Sequence, residues 1–170
     1  MKERNTMPFD KNFAPALRFA VMSDIHIDDE DCIEESRLAK ALDDLKKMCS
    51  SDERYSGFDA LVIVGDFASR GSEIQMRKVK KILDAGLPAD VKLIMTMASH
   101  EYMTDGEENA LRRFDEIFGL TPDTHAVING FDFIAVTTTG GCHFDDKKRE
   151  YISAELEKAA ERDGKKPIFF

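Results

Sequence analysis

Three largely apolar runs, Leu17 to Met22, Ala60 to Val64 and Val91 to Met97, are separated by amphipathic stretches of helical period, which leaves the chain few ways to fold. Short apolar runs alternating with helices are the pattern of a parallel sheet whose crossovers are helical. In the first crossover, Ile33, Leu38, Ala41, Leu42, Leu45, Met48 and Cys49 recur at helical spacing, with charges on the other face. Ile74, Val79, Ile82 and Leu83 do the same in the second, and Gly86 stands where a glycine closing a helix belongs. Ala110, Leu111, Phe114, Ile117 and Phe118 mark a third helix followed by Gly119.

Between Ala126 and Val136 the period changes. Two β-rich runs flank Asn129-Gly130, the strongest short-range hairpin signal, so an antiparallel ribbon is expected. A last helix places Ile152, Leu156, Ala159 and Ala160 on one face, with Lys147, Lys148 and Arg149 as an exposed first turn. It ends near Asp163-Gly164, and Pro167 to Phe170 reads as a strand entering the sheet. With no internal repeat, low-complexity stretch or linker, residues 1–170 read as a single domain, with 1–16 as an extended lead-in. A strand at the end of the chain leaves hydrogen-bonding edge and apolar surface open. The chain is therefore expected to be the N-terminal portion of a longer, here incomplete, α/β domain with a mainly parallel sheet plus a β-hairpin.

Composition narrows the function classes. With 42% hydrophobic and 34% charged residues in a length of 170, the chain can bury a core and is globular. A net charge of -9 opposes binding to a phosphate backbone through clustered Lys and Arg. Nucleic acid is thus conceivable as a substrate and not as a stable partner. Cys32, Cys49 and Cys142 are odd in number, far apart and outside CxxC spacing, so reduced thiols are expected. No stretch approaches the roughly 18 consecutive apolar residues of a membrane span, and Met1 to Ala20 lacks the apolar centre of a secretory signal. The expected location is cytoplasmic, with no membrane partner; nothing in the sequence speaks to oligomeric state.

The chemistry concentrates where the three runs end: Ser23-Asp24-Ile25-His26, Val64-Gly65-Asp66 and Ala98-Ser99-His100-Glu101. In open α/β sheets ligands collect at the carboxyl ends of strands, so three distant segments should converge on one crevice. Asp24 and His26, two apart, can turn to one side of a strand end and share a cation, a donor pair suited to Mn²⁺, Fe or Zn²⁺. Asp66 adds a carboxylate able to bridge two ions, and two ions about 3.5–4 Å apart clamp both oxygens of a phosphoryl displacement. Such a pair also acidifies a shared water enough to supply hydroxide near neutral pH. His100, beside the metals, would protonate the departing alkoxide or stabilise the charged transition state. Taken singly, each motif has a plainer explanation, as a helix cap, a turn or a solvated histidine.

The blocks Asp24-Ile25-His26, Gly65-Asp66 and Ser99-His100-Glu101 resemble the first three signature blocks of the calcineurin-like metallophosphoesterases, D-x-H, G-D and G-N-H-[DE]. The resemblance, with its spacing and intervening helices, covers about residues 17 to 170. It implies a four-layer α-β-β-α sandwich with a site for two divalent metal ions, Asp24 and His26 on one, Asp66 bridging both, and His100 as the catalytic histidine. The implied reaction is hydrolysis of a phosphomonoester or phosphodiester, on a small-molecule or nucleotide substrate. In the third block the family's Gly-Asn is Ala98-Ser99. The asparagine carbonyl that serves the second metal is thereby replaced by the shorter Ser99 hydroxyl, a poorer donor. The family's further C-terminal histidines have no counterpart in the 170 residues.

Two expectations from different classes follow: a metal-dependent phosphoesterase, impaired in this incomplete form, and a relative that keeps the fold as a non-catalytic binding or regulatory module with a degenerate metal site. His143, after Gly140-Gly141-Cys142, is a candidate for lining a substrate cleft, and His125 for starting a strand. The acidic run Asp28, Asp29, Glu30, Asp31, Glu34 and Glu35 reads as a solvated helix start favoured by the macrodipole. A calcium loop fails for want of Gly at the sixth position from Asp24. Nucleotide-binding GxxxxGK and GxGxxG motifs are absent.

Overall fold

The three apolar runs become adjacent parallel strands, β1 (Phe19–Met22), β2 (Ala60–Val64) and β3 (Lys92–Thr96), in the order β1-β2-β3. This is a computed structural model, and it describes residues 13–162 and 167–170. The central strand is apolar throughout because both of its faces are covered. Leu61 and Ile63 point one way, into a core shared with Leu38 and Leu42 of α1 (Ile33–Ser50), Met76, Val79 and Leu83 of α2 (Glu73–Gly86), and Phe114 and Phe118 of α3 (Glu107–Phe118). Ala60 and Val62 point the other way, onto Phe133 and Ala135 of a second sheet. A period of 2 thus divides one strand between two cores.

The second sheet holds β4 (Thr124–Ile128), β5 (Phe131–Ala135) and β6 (Ile168–Phe169), in the order β4-β5-β6. The β4–β5 hairpin is antiparallel, and its two turn residues, Asn129 at φ 49° and Gly130 at φ 77°, both have the positive φ that a tight twisted turn demands. β6 adds in parallel to β5 through Phe133↔Ile168 and Ile134↔Phe169. Ile134 and Val136 face outward onto Ala159 of α4 (Asp146–Ala160). The layers are therefore helices, parallel sheet, mixed sheet, helix: the expected α-β-β-α arrangement. Phe19, Phe133 and Phe170 join the sheets, with Phe19–Phe133 ring centroids 5.2 Å apart.

Helical faces differ from the sequence reading at particular positions. Leu156 is 39% exposed and Ala160 is exposed, whereas Glu155 is buried in α4. The reason is ionic: the outer surface of β4 and β5 presents His125 and Asp132, and Glu155 meets His125 at 2.5 Å. Lys148, expected in an exposed turn, instead pairs with Asp123, whose other oxygen accepts from the Thr137 backbone N–H. Ile33, Ile74 and Met48 lie near helix ends and stay exposed. Gly86 is the last residue of α2, with Leu87 as the cap. All three cysteines are free, and among the described residues no helix is long and apolar enough to cross a membrane. Residues 1–12 of the lead-in, and the expected helix end at Asp163-Gly164, lie outside the described residues.

Candidate metal centre

Parallel pairing of β1 with β2 continues past the strand ends and fixes where the first two blocks sit. The backbone N–H of His26 donates to the Asp66 carbonyl at 3.0 Å, that of Ile27 to Phe67 at 3.1 Å, and that of Ser69 back to Ile27 at 2.9 Å. Within this lacing Asp24, His26 and Asp66 adopt left-handed backbone, at φ 54°, 53° and 50°. Side chains of L-residues visit that region sparingly, Asp and His among the more tolerant, and such conformations cluster at functional sites. The turning chain brings Asp24 Oδ1 to 3.9 Å from His26 Nε2.

The third block comes from the loop after β3, where a single 3₁₀ turn, His100–Tyr102, starts. One donor atom each from His26, Asp66 and His100 lies within 4.8 Å of the others. The His26 and His100 rings meet edge to face with centroids 4.5 Å apart. His100 Nδ1 donates to the Ser69 carbonyl at 2.8 Å, which fixes the ring and leaves Nε2 free for the site. The His100 backbone N–H donates to Asp66 Oδ1 at 3.1 Å, so that carboxylate is oriented through one oxygen.

Behind these residues lies Glu101, fully buried. Its two oxygens accept from the backbone N–H groups of Asp66 (2.9 Å), Ala98 (2.9 Å) and Ala68 (3.0 Å). Burial pushes its carboxyl above the ordinary glutamate range, and the three N–H groups pull against that shift. Burial also raises the hydroxyl pKa of Tyr102, which donates to the Thr138 carbonyl at 3.0 Å.

Sequence reasoning placed Asp24, His26, Asp66 and His100 at one crevice; the structure gathers donor atoms of His26, Asp66 and His100, while Asp24 stands at the edge, 3.9 Å from His26 and outside that group. It missed the packing role of Glu101, for which the only available sign was an acid closing the third block. Ser99 is exposed at the start of the 3₁₀ turn. His143 is also exposed, on a loop that reaches the third block through Gly141: a Cβ on Gly141 would lie 2.4 Å from Ser99 Cα, so only glycine fits. The His143 carbonyl accepts from the Thr139 N–H at 2.7 Å, and its ring stands 3.7 Å from Cys142 Sγ. A cleft of about 390 Å³ opens beside Asp24 and His26, lined also by Met22, Arg37, Leu38 and Ala41.

The donor set fits a divalent ion. One carboxylate and two imidazoles converge, with the Asp24 carboxylate beside His26, and among the described residues neither Asp24 nor Asp66 is paired with a Lys or Arg that would neutralise it. Imidazole with carboxylate suits Mn²⁺, Fe or Zn²⁺. A parallel sheet carrying such donors at its carboxyl edge makes an α/β domain with a candidate metal site. A model of the calcineurin-like phosphoesterase family matches residues 17–163, and the chain belongs to that family, whose members act on phosphoesters with divalent metals. No curated protein matches the chain.

Proposed function

We propose that this chain hydrolyses a phosphate ester, a phosphomonoester or phosphodiester of a small molecule or nucleotide, at the crevice formed by Asp24, His26, Asp66 and His100. The observation that carries this reading is the convergence of His26, Asp66 and His100 donors within 4.8 Å, from the ends of three different strands. Asp24, His26 and Asp66 would hold the cation. When bound, a divalent ion there supplies Lewis-acid polarisation of a phosphoryl oxygen and lowers the pKa of water toward neutrality.

The chain's own residues do the rest. Asp66, with Oδ1 held by the His100 N–H, keeps its second oxygen directed by that bond. His100, anchored through Nδ1 on Ser69, presents Nε2 to the substrate, where it donates a proton to the departing alkoxide or a hydrogen bond to the charged phosphoryl group. Arg37, in the wall of the adjoining cleft, is paired with Glu34 at 3.3 Å and would have to leave that exposed partner to meet an anionic ester. Ser99 supplies a hydroxyl where an amide carbonyl would hold a second ion better, so one ion is bound firmly and a second weakly. His143, exposed on the loop whose Gly141 packs against Ser99, is the residue of that loop we assign to the substrate side.

The test is a Mn²⁺ titration by calorimetry, together with turnover of chromogenic phosphomonoester and phosphodiester substrates before and after chelation. The expected result is one firmly bound equivalent and metal-dependent turnover. His100→Ala separates roles: an acid costs about 10²–10⁴ in kcat with Mn²⁺ affinity kept, and a ligand costs affinity as well. Metal uptake without turnover on any phosphoester would favour the non-catalytic binding module that Ser99 also permits. Absence of both overturns the reading.

A further inference from the structure

Glu101 is an expensive residue to place where it lies. It is fully buried, and among the described residues it has no ion-pair partner, so its charge is offset by hydrogen bonds alone. Those bonds reach into two different strand-end loops. Oε2 accepts from Asp66 and Ala98 and Oε1 from Ala68, so one side chain ties the loop after β2 to the loop after β3. Its main chain is fixed as well: Gly71, at φ 71°, lies so close that a Cβ there would stand 1.9 Å from the Glu101 carbonyl oxygen.

The tie closes on the metal-facing residues. Glu101 takes the N–H of Asp66, the residue held at φ 50°; the Asp66 carboxylate takes the N–H of His100; and His100 is the neighbour of Glu101 in the chain. Three main-chain donors aimed at one side chain require an acceptor-only group with two oxygens. A glutamine has one acceptor oxygen and would turn its NH₂ against one of the three N–H groups. An aspartate is a methylene too short.

We propose that Glu101 is a positioning residue for the metal centre, acting through the backbone of Asp66 and Ala98 rather than by touching ion or substrate. The inference rests on the proposed metal-dependent function, because it concerns the same site.

The experiment compares Mn²⁺ affinity, by the EPR signal of free Mn²⁺, in wild type, Glu101→Gln and Glu155→Gln, each verified as folded by far-UV circular dichroism and thermal melting. Glu155 serves as the control, a buried carboxylate in α4 bonded to His125 on the outer face of the second sheet. Loss of an outer support weakens metal binding by about 10–100-fold, and that is expected for Glu101→Gln, with Glu155→Gln losing thermal stability but holding Mn²⁺ as wild type does. A folded Glu101→Gln with wild-type affinity overturns the proposal, since a purely structural role lowers the melting temperature alone. Wild type that takes up no Mn²⁺ sinks the proposed function instead, so the two failures are distinguishable. Should Glu101→Gln not fold, amide hydrogen exchange on wild type decides: the N–H groups of Asp66, Ala68 and Ala98 are expected to be strongly protected, and free exchange at those positions removes the clamp.

Discussion

Two clusters of histidine and carboxylate stand in this molecule, and they are built to opposite ends. At the carboxyl edge of the parallel sheet, His26, His100 and Asp66 converge, with Asp24 beside His26, without a Lys or Arg partner among the described residues, and the His26 side chain is 35% exposed. On the outer face of the second sheet, His125 is 10% exposed and spends both ring nitrogens on carboxylates, Nδ1 on Glu155 at 2.5 Å and Nε2 on Asp132 at 2.6 Å. Lys158 and Arg162 complete that cluster at 2.6 and 3.5 Å. The second cluster is electrostatically closed and joins β4, β5 and α4. The first is open and has spare donors. Residue type is the same in both, and what separates a candidate site from a structural tie is whether the cluster already contains its own counter-charge.

The comparison breaks most visibly in stability. His125→Ala removes the ring that bridges Glu155 and Asp132 and leaves them only Lys158 and Arg162 as partners, so it is expected to cost up to about 3 kcal/mol, read by urea denaturation, with Mn²⁺ affinity of the folded protein unchanged. The mirror experiment is Asp66→Asn, which keeps an oxygen for the His100 N–H and removes the charge. Mn²⁺ affinity should fall by at least about 100-fold, near 2.7 kcal/mol, with denaturation midpoints little changed. Equal destabilisation by both variants would erase the distinction.

Acid sharpens it further. Hydrogen bonds from Lys158, then from His125, hold the Glu155 carboxyl below the ordinary glutamate value of 4.5. Asp105, bonded by Arg113, is held below 3.8 in the same way. A depressed carboxyl stabilises the fold above its unfolded pKa, and that contribution is lost as pH falls through the folded value. Melting temperature should therefore drop as pH is lowered below about 4.5, and Glu155→Gln should flatten the drop. Glu101 works in the opposite sense: its raised pKa favours the folded state when protonated. An acid limb unchanged by Glu155→Gln would deny the closed cluster its part in the fold.

Much of this was legible in the chain, for reasons that differ by level. Apolar runs at Ala60 to Val64 and at Val91 to Met97 announce buried parallel strands because each strand must bury both faces, and Asn129-Gly130 announces its hairpin because few other pairs accept two positive φ angles. The candidate site was legible in part because strand ends in such sheets share an edge, so His26, Asp66 and His100 converge without any knowledge of side-chain packing, while Asp24 adjoins them only through His26. What escaped depended on long-range pairing. Leu156 looked like core, yet it lies outside while Glu155 goes in, because its partner His125 lies 30 positions away in β4 and is itself held by Asp132 of β5. Glu101 escaped for the same reason: its partners are main-chain N–H groups, two of them 33 and 35 residues distant, and these carry no side-chain signal.

The smallest expected effect tests whether backbone strain belongs to the open cluster. Among the described residues four non-glycine positions have positive φ, Asp24, His26 and Asp66 around the candidate metal centre and Asn129 in the hairpin. Asn129 repays its conformation locally, since its side chain donates to Asp59 at 2.8 Å and to the Tyr55 hydroxyl at 3.0 Å. Asp24 has only His26 at 3.9 Å, and its side chain is 68% exposed. Glycine removes the steric penalty of left-handed backbone but adds freedom to the unfolded chain, and the two effects nearly cancel, to within about 1 kcal/mol. Asn129→Gly, which also forfeits hydrogen bonds, should lose about 1 kcal/mol, while Asp24→Gly in metal-free protein should stay level or gain slightly. With Mn²⁺ added the order should separate further, because Asp24→Gly alone forgoes the stabilisation that ligand binding confers on the native state. Thermal melts of the two variants with and without Mn²⁺ measure this directly; a metal-free Asp24→Gly less stable than Asn129→Gly would mean that Asp24 holds the fold together and is not kept for an ion.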